Sequence, residues 1–213
     1  MKLRIFTPAF FVILLYSCSP CWIATVTSEK IPLKTTGYEY ENDTVRINYR
    51  FWGNKGKMEF DIFNKTDVPI FFDWKTSAYI PNDKMVSYYR DVTNTEGVFY
   101  SNKDFGIGTG KSVSIRQERV AVVPPHSMIT NNQFRLVKKY ADMEKTGEYD
   151  NYNTPLRFRN YLTLCTNEKF EGRVSTIDNS FFVTSIKEVS SNKTLKYKSP
   201  NTFYVTPAYI EKQ

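Results

Sequence analysis

The feature that most constrains the fold is a two-residue alternation of apolar and polar side chains. It extends over residues 44–51 and returns over residues 57–64. Successive side chains of a β-strand point to opposite faces, so this period is typical of a strand with one buried face. Residues 53–56, Gly-Asn-Lys-Gly, separate the two segments. A turn of this composition between alternating segments predicts a β-hairpin.

Short apolar segments bounded by turn residues continue along the rest of the chain. Residues 79–80 and 85–89 predict a second hairpin, and further strands are expected at residues 68–74, 98–100, 113–123, 156–165, 180–189 and 202–210. Many short strands with frequent turns predict an all-β fold, an antiparallel immunoglobulin-like β-sandwich. Residues 132–145, in which apolar residues recur at mixed spacing, are the only segment that predicts a helix. The polar residues 90–112 predict a long loop.

The first eighteen residues have the composition of an export signal that ends at a lipidation site. Lys2 and Arg4 precede a short apolar run, and Ser17 precedes Cys18. A helix that spans a bilayer needs about 20 apolar residues, whereas this run has the length of a signal-peptide core. We therefore expect a lipoprotein signal peptidase to cut before Cys18 and lipid to be attached to its sulfur.

Other interpretations of the N-terminus are a permanent signal anchor and ordinary signal cleavage. The first needs a longer apolar run. The second needs small residues at the first and third positions before the cut, and Trp22 holds the third position for a cut after Ala24. On the preferred interpretation the chain has a signal peptide at residues 1–17, a lipidated tether at residues 18–36 and one β-sandwich domain at residues 37–213.

Charge and cysteine content limit the class of partner. The net charge is +7 without a long run of like charges, which favours a solvated surface or a face that attracts anionic lipid or polysaccharide. Nucleic acid is not an expected partner for an exported chain. With lipid on Cys18, Cys21 and Cys165 remain. An exported compartment permits a disulfide, but a buried thiol at Cys165 is the preferred interpretation.

The segment from Phe51 to Ser77 resembles a pattern that recurs in small lipoproteins of Bacteroidetes. It contains a strand, the turn Asn64-Lys65-Thr66-Asp67 and a strand that ends in Asp73-Trp74-Lys75. The junction Ser17-Cys18-Ser19-Pro20 and the stretch Val122–Ser127 are similar as well. These segments cover less than half of the mature chain. The family has no assigned activity, so the resemblance implies no catalytic residues. The turn followed by proline also resembles bacterial immunoglobulin-like domains.

Motifs for nucleotide, histidine or metal chemistry are weak. Residues 104–112 end like a phosphate-binding loop, but Phe105 replaces the first glycine and a strand-like segment follows instead of a helix. His126 is the only histidine, and no sequence cue places an acid or a nucleophile beside it. We predict no catalytic residue, no cofactor and no metal.

Carboxylates are the basis of the alternative function, an envelope-glycan hydrolase. Asp61, Asp67, Asp73 and Asp83 come from neighbouring predicted strands and turns. Two acids that face each other at about 5 to 10 Å can hydrolyse a glycosidic bond. Aspartate is also common in turns because its side chain bonds to nearby backbone groups, so these four residues have a structural explanation too.

Trp52, Trp74, Tyr88 and Tyr89 are the candidate ligand contacts. Exposed aromatic patches mark binding surfaces, although a sandwich core also uses such residues. The preferred function is a lipid-anchored protein of the bacterial cell envelope, at the outer membrane, with its membrane contact made through the lipid. It would bind envelope glycan or a protein partner without catalysis, through an edge strand or residues 90–112. A sheet edge that pairs with a client strand is a third hypothesis.

Overall fold

The computed structural model describes residues 20–89, 118–138, 143, 145–171 and 174–207. Within these ranges the chain forms fourteen strands and one 3-10 helix, Ser191–Tyr197. The strands are β1 (Pro20–Thr27), β2 (Leu33–Lys34), β3 (Gly37–Glu41), β4 (Val45–Arg50), β5 (Lys57–Asn64), β6 (Ile70–Asp73), β7 (Ala78–Pro81), β8 (Val86–Ser87), β9 (Val120–Val123), β10 (Met128–Arg135), β11 (Gly147–Glu148), β12 (Arg157–Cys165), β13 (Ser175–Ser190) and β14 (Thr202–Val205).

The strands form two antiparallel sheets with a common core. The larger sheet has the order β14-β1-β13-β12-β6-β9, with β11 paired to β13, β7 to β12 and β8 to β7. The smaller sheet has the order β10-β5-β4-β3-β2. The predicted all-β, two-layer architecture is therefore confirmed. In the part of the chain that is described, no helix has the length and apolar character that crossing a bilayer requires.

Both predicted hairpins are present. β4 pairs with β5 along its whole length, and alternate residues of both strands are buried; β7 pairs with β8. In the turn between β4 and β5, Gly56 has a φ of 66°, a left-handed conformation that glycine adopts without steric cost. A Cβ at this position would lie 2.8 Å from Cδ1 of Leu136, so glycine is required for close packing as well.

A buried asparagine joins the two neighbouring crossovers between the sheets, residues 65–69 and residues 124–127. Asn64 is fully buried, and its Oδ1 accepts a hydrogen bond from the Thr66 backbone N–H at 2.9 Å. Its Nδ2 lies within hydrogen-bonding distance of three carbonyl oxygens, those of Val68 (2.8 Å), Val123 (3.0 Å) and Pro124 (3.1 Å). The Asn-Lys-Thr-Asp turn therefore has a structural role, since it satisfies buried backbone groups of both crossovers.

Aromatic rings from both sheets form the centre of the core. The ring centroid of Phe181, in β13, lies 5.0 Å from that of Tyr49, 5.1 Å from that of Phe51 and 5.4 Å from that of Phe158. The first two contacts are edge-to-face and the third is stacked, and edge-to-face geometry is favoured by the charge distribution of aromatic rings. Because Tyr49 is in the smaller sheet and Phe158 and Phe181 are in the larger one, these contacts hold the two layers together.

A polar cluster lies inside this aromatic core. The Tyr49 hydroxyl accepts hydrogen bonds from Nδ2 of Asn160 (3.1 Å) and Nδ2 of Asn179 (2.8 Å). The Tyr88 hydroxyl donates to Oδ1 of Asn160 at 2.8 Å. Burial raises the pKa of Tyr49 and the pKa of Tyr88 well above the usual tyrosine value, so both hydroxyls remain neutral. Buried polar groups must be paired, and this cluster pairs them across the two sheets.

The N-terminal part of the domain differs from the prediction of a tether over residues 18–36 and a domain from residue 37. Pro20–Thr27 forms β1, an inner strand of the larger sheet between β13 and β14. The residues from Cys21 to Ala24 are all buried. A strand that is covered on both faces is apolar throughout and lacks alternation. Periodicity therefore could not separate it from the adjacent apolar segment of the expected export signal.

The prediction of a helix at residues 132–145 is wrong for its first part, which belongs to β10. β10 pairs with β5, with an irregular register between Asn131 and Phe134. Such a bulge interrupts the two-residue period, which explains the mixed spacing of apolar residues here. Residues 139–142 and 144 lie outside the described residues, as do residues 90–117, which include the predicted long loop and the predicted strand at 98–100.

Candidate functional site

The predicted lipidation site is close in sequence to one end of the sandwich. Cys18 lies outside the described residues, but Pro20 is the first residue of β1 and lies opposite Ser190, the last residue of β13. The 3-10 helix follows Ser190 directly. The turn between β4 and β5 joins this end because the Lys55 N–H donates to the Tyr204 carbonyl at 2.7 Å. We call the following set the N-terminal end: Pro20, Ser190, the 3-10 helix, residues 53–56 and residues 135–138.

Cys21 lies in β1, one of the strands on which the 3-10 helix packs. Its side chain is fully buried, and burial raises the pKa of its thiol. Cys165 is a buried thiol, as predicted, and the two cysteines form no disulfide. Cys21 lies opposite Val189, whereas Leu164, next to Cys165, lies opposite Ser175. These positions are at opposite ends of the 16-residue β13, and a disulfide requires Cα atoms within about 7 Å.

A groove of about 410 Å³ opens beside the N-terminal end, between β7, the end of β10 and the residues that precede β12. Backbone N–H groups of Leu136 and Val137 donate to the carbonyl oxygens of Gly56 and Lys55, each at 2.9 Å, and so attach one wall of the groove to the 53–56 turn. The described lining contains three cations and no acid; it includes Lys84, Arg135, Lys138, Tyr79, Leu136 and Leu156. An apolar floor with a few charged groups is usual for a ligand site. This set of charges suits an anionic group.

Two of the predicted aromatic ligand contacts are core residues. Tyr88 is fully buried and Trp74 is 7% exposed. Their ring centroids lie 5.6 Å apart, and Trp74 stacks on Phe72 at 6.1 Å. A ligand could reach these two rings only if the core opened. Both residues therefore belong to the core and not to a ligand-binding surface.

The other two predicted aromatic residues are partly exposed and lie in different places. The Trp52 ring contacts the Tyr204 ring at the N-terminal end, with 5.3 Å between centroids. Tyr89 packs against the core, and its backbone N–H donates to the carbonyl of Trp74 at 3.1 Å. Trp52, Trp74, Tyr88 and Tyr89 therefore do not form a single aromatic platform. Trp52 with Tyr204 is the pair that extends the surface of the N-terminal end.

Asp73 has its carboxylate bound to an arginine. Nε of Arg119 donates to Oδ1 at 3.1 Å, and Nη2 donates to Oδ2 at 2.7 Å. Burial alone would raise the pKa of Asp73, but the bonds from Arg119 and the Lys75 backbone N–H outweigh burial and lower this pKa below its usual value. A general acid of a glycosidase needs a raised pKa, so the shift at Asp73 has the opposite direction.

The remaining predicted carboxylates are on separate elements with separate partners. Oδ2 of Asp61 accepts from Arg50 at 2.6 Å, and Oδ1 accepts from Thr130 at 2.7 Å. Asp83 is in the turn between β7 and β8 with a φ of 62°. The arginine that binds Asp61, Arg50, bonds to Glu59 as well. These acids are thus bound within ion pairs and turns, and the structure does not bring them together.

The structure gives His126 an acidic neighbour that the sequence did not reveal. Its Nε2 lies 2.8 Å from Oδ1 of Asp67, and both side chains are exposed. The nearby Ser127 hydroxyl donates to the Pro124 carbonyl at 2.8 Å, which directs it away from a role as a nucleophile for the histidine. The pair links the two crossovers that Asn64 also joins. A contact between residues so distant in sequence leaves no local sequence signal.

In the described part of the chain, no group of three or more His, Cys, Asp or Glu side chains could hold a metal ion. The glycine-rich segment 104–112 lies outside the described residues. Sequence reasoning missed the cationic groove, because Lys84, Arg135 and Lys138 come from separate parts of the chain. The only signal for it was the overall positive charge. No family model matches the chain, and comparisons with curated proteins and with solved structures also find no match.

Proposed function

We propose that the protein is a lipid-anchored component of the bacterial cell envelope, attached to the outer membrane through Cys18. Its two-sheet body, an immunoglobulin-like β-sandwich, works as a binding or structural module and not as an enzyme. The observation that carries the proposal is the sequence around Cys18, in which a cationic start and a short apolar run lead to Ser17 and the cysteine. β1 occupies Pro20–Thr27, so a strand of the folded body lies only two residues after Cys18.

The ligand of the module is an anionic group of the envelope, such as the charged part of an envelope glycan. The support is the groove formed by Lys84, Arg135 and Lys138, whose described lining has no carboxylate. Its volume of about 410 Å³ is within the range of small-molecule sites. The aromatic residue of the described lining, Tyr79, is only 2% exposed, so charge and not aromatic stacking is the main source of recognition.

Metabolic labelling with an alkyne palmitate tests the anchor. The full chain should carry the label, and a Cys18→Ala variant should lose both the label and its resistance to release from membranes. Cys165→Ala is the matched control, because it removes a buried thiol at the other end of β13. An equal palmitate signal in Cys18→Ala and in the unchanged chain would contradict the proposal.

Binding of purified envelope lipopolysaccharide to the lipidated protein in detergent tests the ligand class. A double variant, Arg135→Gln with Lys138→Gln, should bind at least about tenfold more weakly, because a charge-assisted hydrogen bond contributes about 1.5 to 3 kcal/mol. Lys169→Gln removes one exposed cation at the opposite end of the sandwich and is the control. Equal affinity of the double variant and the control would exclude the groove as the site.

The alternative function, a glycan hydrolase with paired carboxylates, has less support. Asp61 and Asp73 are each bound by an arginine, and Asp67 bonds to His126. Turnover of purified envelope glycan that is lost in an Asp73→Asn variant with an unchanged fold would favour the hydrolase over the binding module.

A further inference from the structure

We infer that the N-terminal end of the sandwich is a membrane-contact surface that lies against anionic lipid headgroups. The inference rests on the proposed lipid anchor and extends it to the orientation of the whole domain. Its contact residues are on and next to the 3-10 helix: Leu195, Tyr197, Lys193, Lys196 and Lys198.

Chain length places the first residue of this helix close to the bilayer. Only Ser19 separates Cys18 from Pro20, and two residues span at most about 7 Å. Ser190 lies opposite Pro20 in the neighbouring strand, where strands are about 5 Å apart. The first residue of the helix follows Ser190. A lipid on Cys18 therefore leaves no flexible tether, and the body must rest with this end on the headgroups.

The 3-10 helix has two large side chains, Leu195 and Tyr197, that are exposed to solvent. Leu195 is 76% exposed and Tyr197 is 42% exposed, while Thr194, on the side that faces the sheet, is buried. The helix packs with this side on β1 and β13. Its outer side is thus presented away from the protein. Amphipathic residues such as tyrosine, with an apolar neighbour, are common at the level of lipid headgroups.

Charge supports an anionic lipid surface as the occupant. Lys193, Lys196 and Lys198 are exposed, and no ion pair between described residues involves them. The nearest acid along β13 is Glu188, so the local balance is cationic. A lysine near an anionic membrane contributes about 1 kcal/mol, which corresponds to about a fivefold change in the ratio of docked to undocked orientation.

Site-specific photo-crosslinking to radiolabelled phospholipid tests this surface in the full lipidated chain. A photoreactive amino acid replaces Leu195 in one variant and Val68 in the control variant. Val68 is 50% exposed and lies in the crossover at the opposite end of the sandwich. Crosslinks to lipid are expected at position 195 and not at position 68. Equal yields at the two positions, or no yield at either while palmitate labelling persists, would overturn the membrane-contact surface and leave the anchor intact. Absence of the palmitate label would instead overturn the anchor on which the inference rests.

The charge contribution is tested with the same crosslinking position in reconstituted vesicles. Yield at position 195 should be higher with phosphatidylglycerol in the vesicle than with phosphatidylcholine alone. Each substitution Lys193→Gln, Lys196→Gln or Lys198→Gln should lower the docked-to-undocked ratio by about fivefold in the anionic vesicles, whereas Lys169→Gln should not. The same yield in both vesicle types and in all variants would refute anionic headgroups as the partner. Thermal unfolding of each variant checks that the fold is unchanged.

Discussion

The two ends of the sandwich differ in where their polar side chains find partners. The far end is formed by residues 42–44, 64–69 and 124–127, and its polar side chains bond to the protein itself. Asn64 bonds to both crossovers and Asp67 bonds to His126. Asn42 accepts hydrogen bonds from the backbone N–H groups of Thr44 and Val45. At the N-terminal end, the lysines of the 3-10 helix have no ion-pair partner among the described residues, and Leu195 is exposed. The polar groups of the far end are thus paired within the protein, whereas the lysines of the 3-10 helix form no ion pair with another described residue, which is the difference that the proposed membrane contact would explain.

The largest effect is expected from Asn64→Ala at the far end. It leaves buried carbonyl oxygens of two crossovers without their donor, so the free energy of unfolding should fall by about 3 kcal/mol. Asn192→Ala, at the N-terminal end, removes an exposed bond to Ser190 and should change it by no more than about 0.5 kcal/mol. Urea unfolding measures both. Similar losses in the two variants would remove the proposed difference in stability between the ends.

Tyr49→Phe should have the next largest effect, because the core between the two ends depends on its hydroxyl. Two asparagine amides, those of Asn160 and Asn179, lose their acceptor, and the expected loss is about 2 kcal/mol. Tyr152→Phe is the control, since Tyr152 is 95% exposed. An unchanged midpoint of urea unfolding for Tyr49→Phe would show that the buried cluster does not stabilise the fold.

Asp73→Asn should give a smaller effect that depends on pH. Bonds from Arg119 lower the pKa of Asp73 in the folded state against the opposing effect of burial. A lowered folded pKa stabilises the fold at pH values above the unfolded aspartate pKa of about 3.9, and this stabilisation is lost as the pH falls through the folded pKa. The difference in unfolding free energy between the unchanged chain and the Asp73→Asn variant should therefore shrink on acidification below about pH 4.

The Arg119→Gln background provides the control for this pH dependence. Without the guanidinium, the effect of Asp73→Asn on the unfolding free energy should vary less with pH, as followed by thermal unfolding across a pH series. An effect of Asp73→Asn that stays constant with pH when Arg119 is present would mean that the ion pair does not contribute to stability.

Leu195→Ser should have the smallest effect on stability, within about 0.5 kcal/mol, because the side chain is exposed. It sharpens the comparison between the ends, since the same substitution should reduce membrane contact of the 3-10 helix. Differential scanning fluorimetry gives the stability, and phospholipid quenching of a dye at Tyr197 gives the contact. A marked loss of stability would show that Leu195 packs on the protein and does not serve a partner.

Local pattern predicted several of the elements that are exposed on one face, but not β3 (Gly37–Glu41). The β4–β5 and β7–β8 hairpins, β6, β12 and β14 all follow from alternation and turn residues, which depend on neighbours in the chain. β1 was missed because it is covered on both faces, and β10 was missed because a bulge interrupts its period. For the candidate site, the sequence indicated Cys18 and an excess of cations but not where these cations gather.

The sequence by itself determined the two-residue period that makes the chain all-β, and it is also the source of the proposed export signal and of the cysteine proposed to carry lipid. These are local properties, readable from residues that are close together in the chain. Tertiary structure alone decided that Trp74 and Tyr88 are core residues, that Asp67 meets His126, and that Lys84, Arg135 and Lys138 line one groove. The physical reason is that each of these outcomes depends on strand pairing and crossovers between residues far apart in sequence.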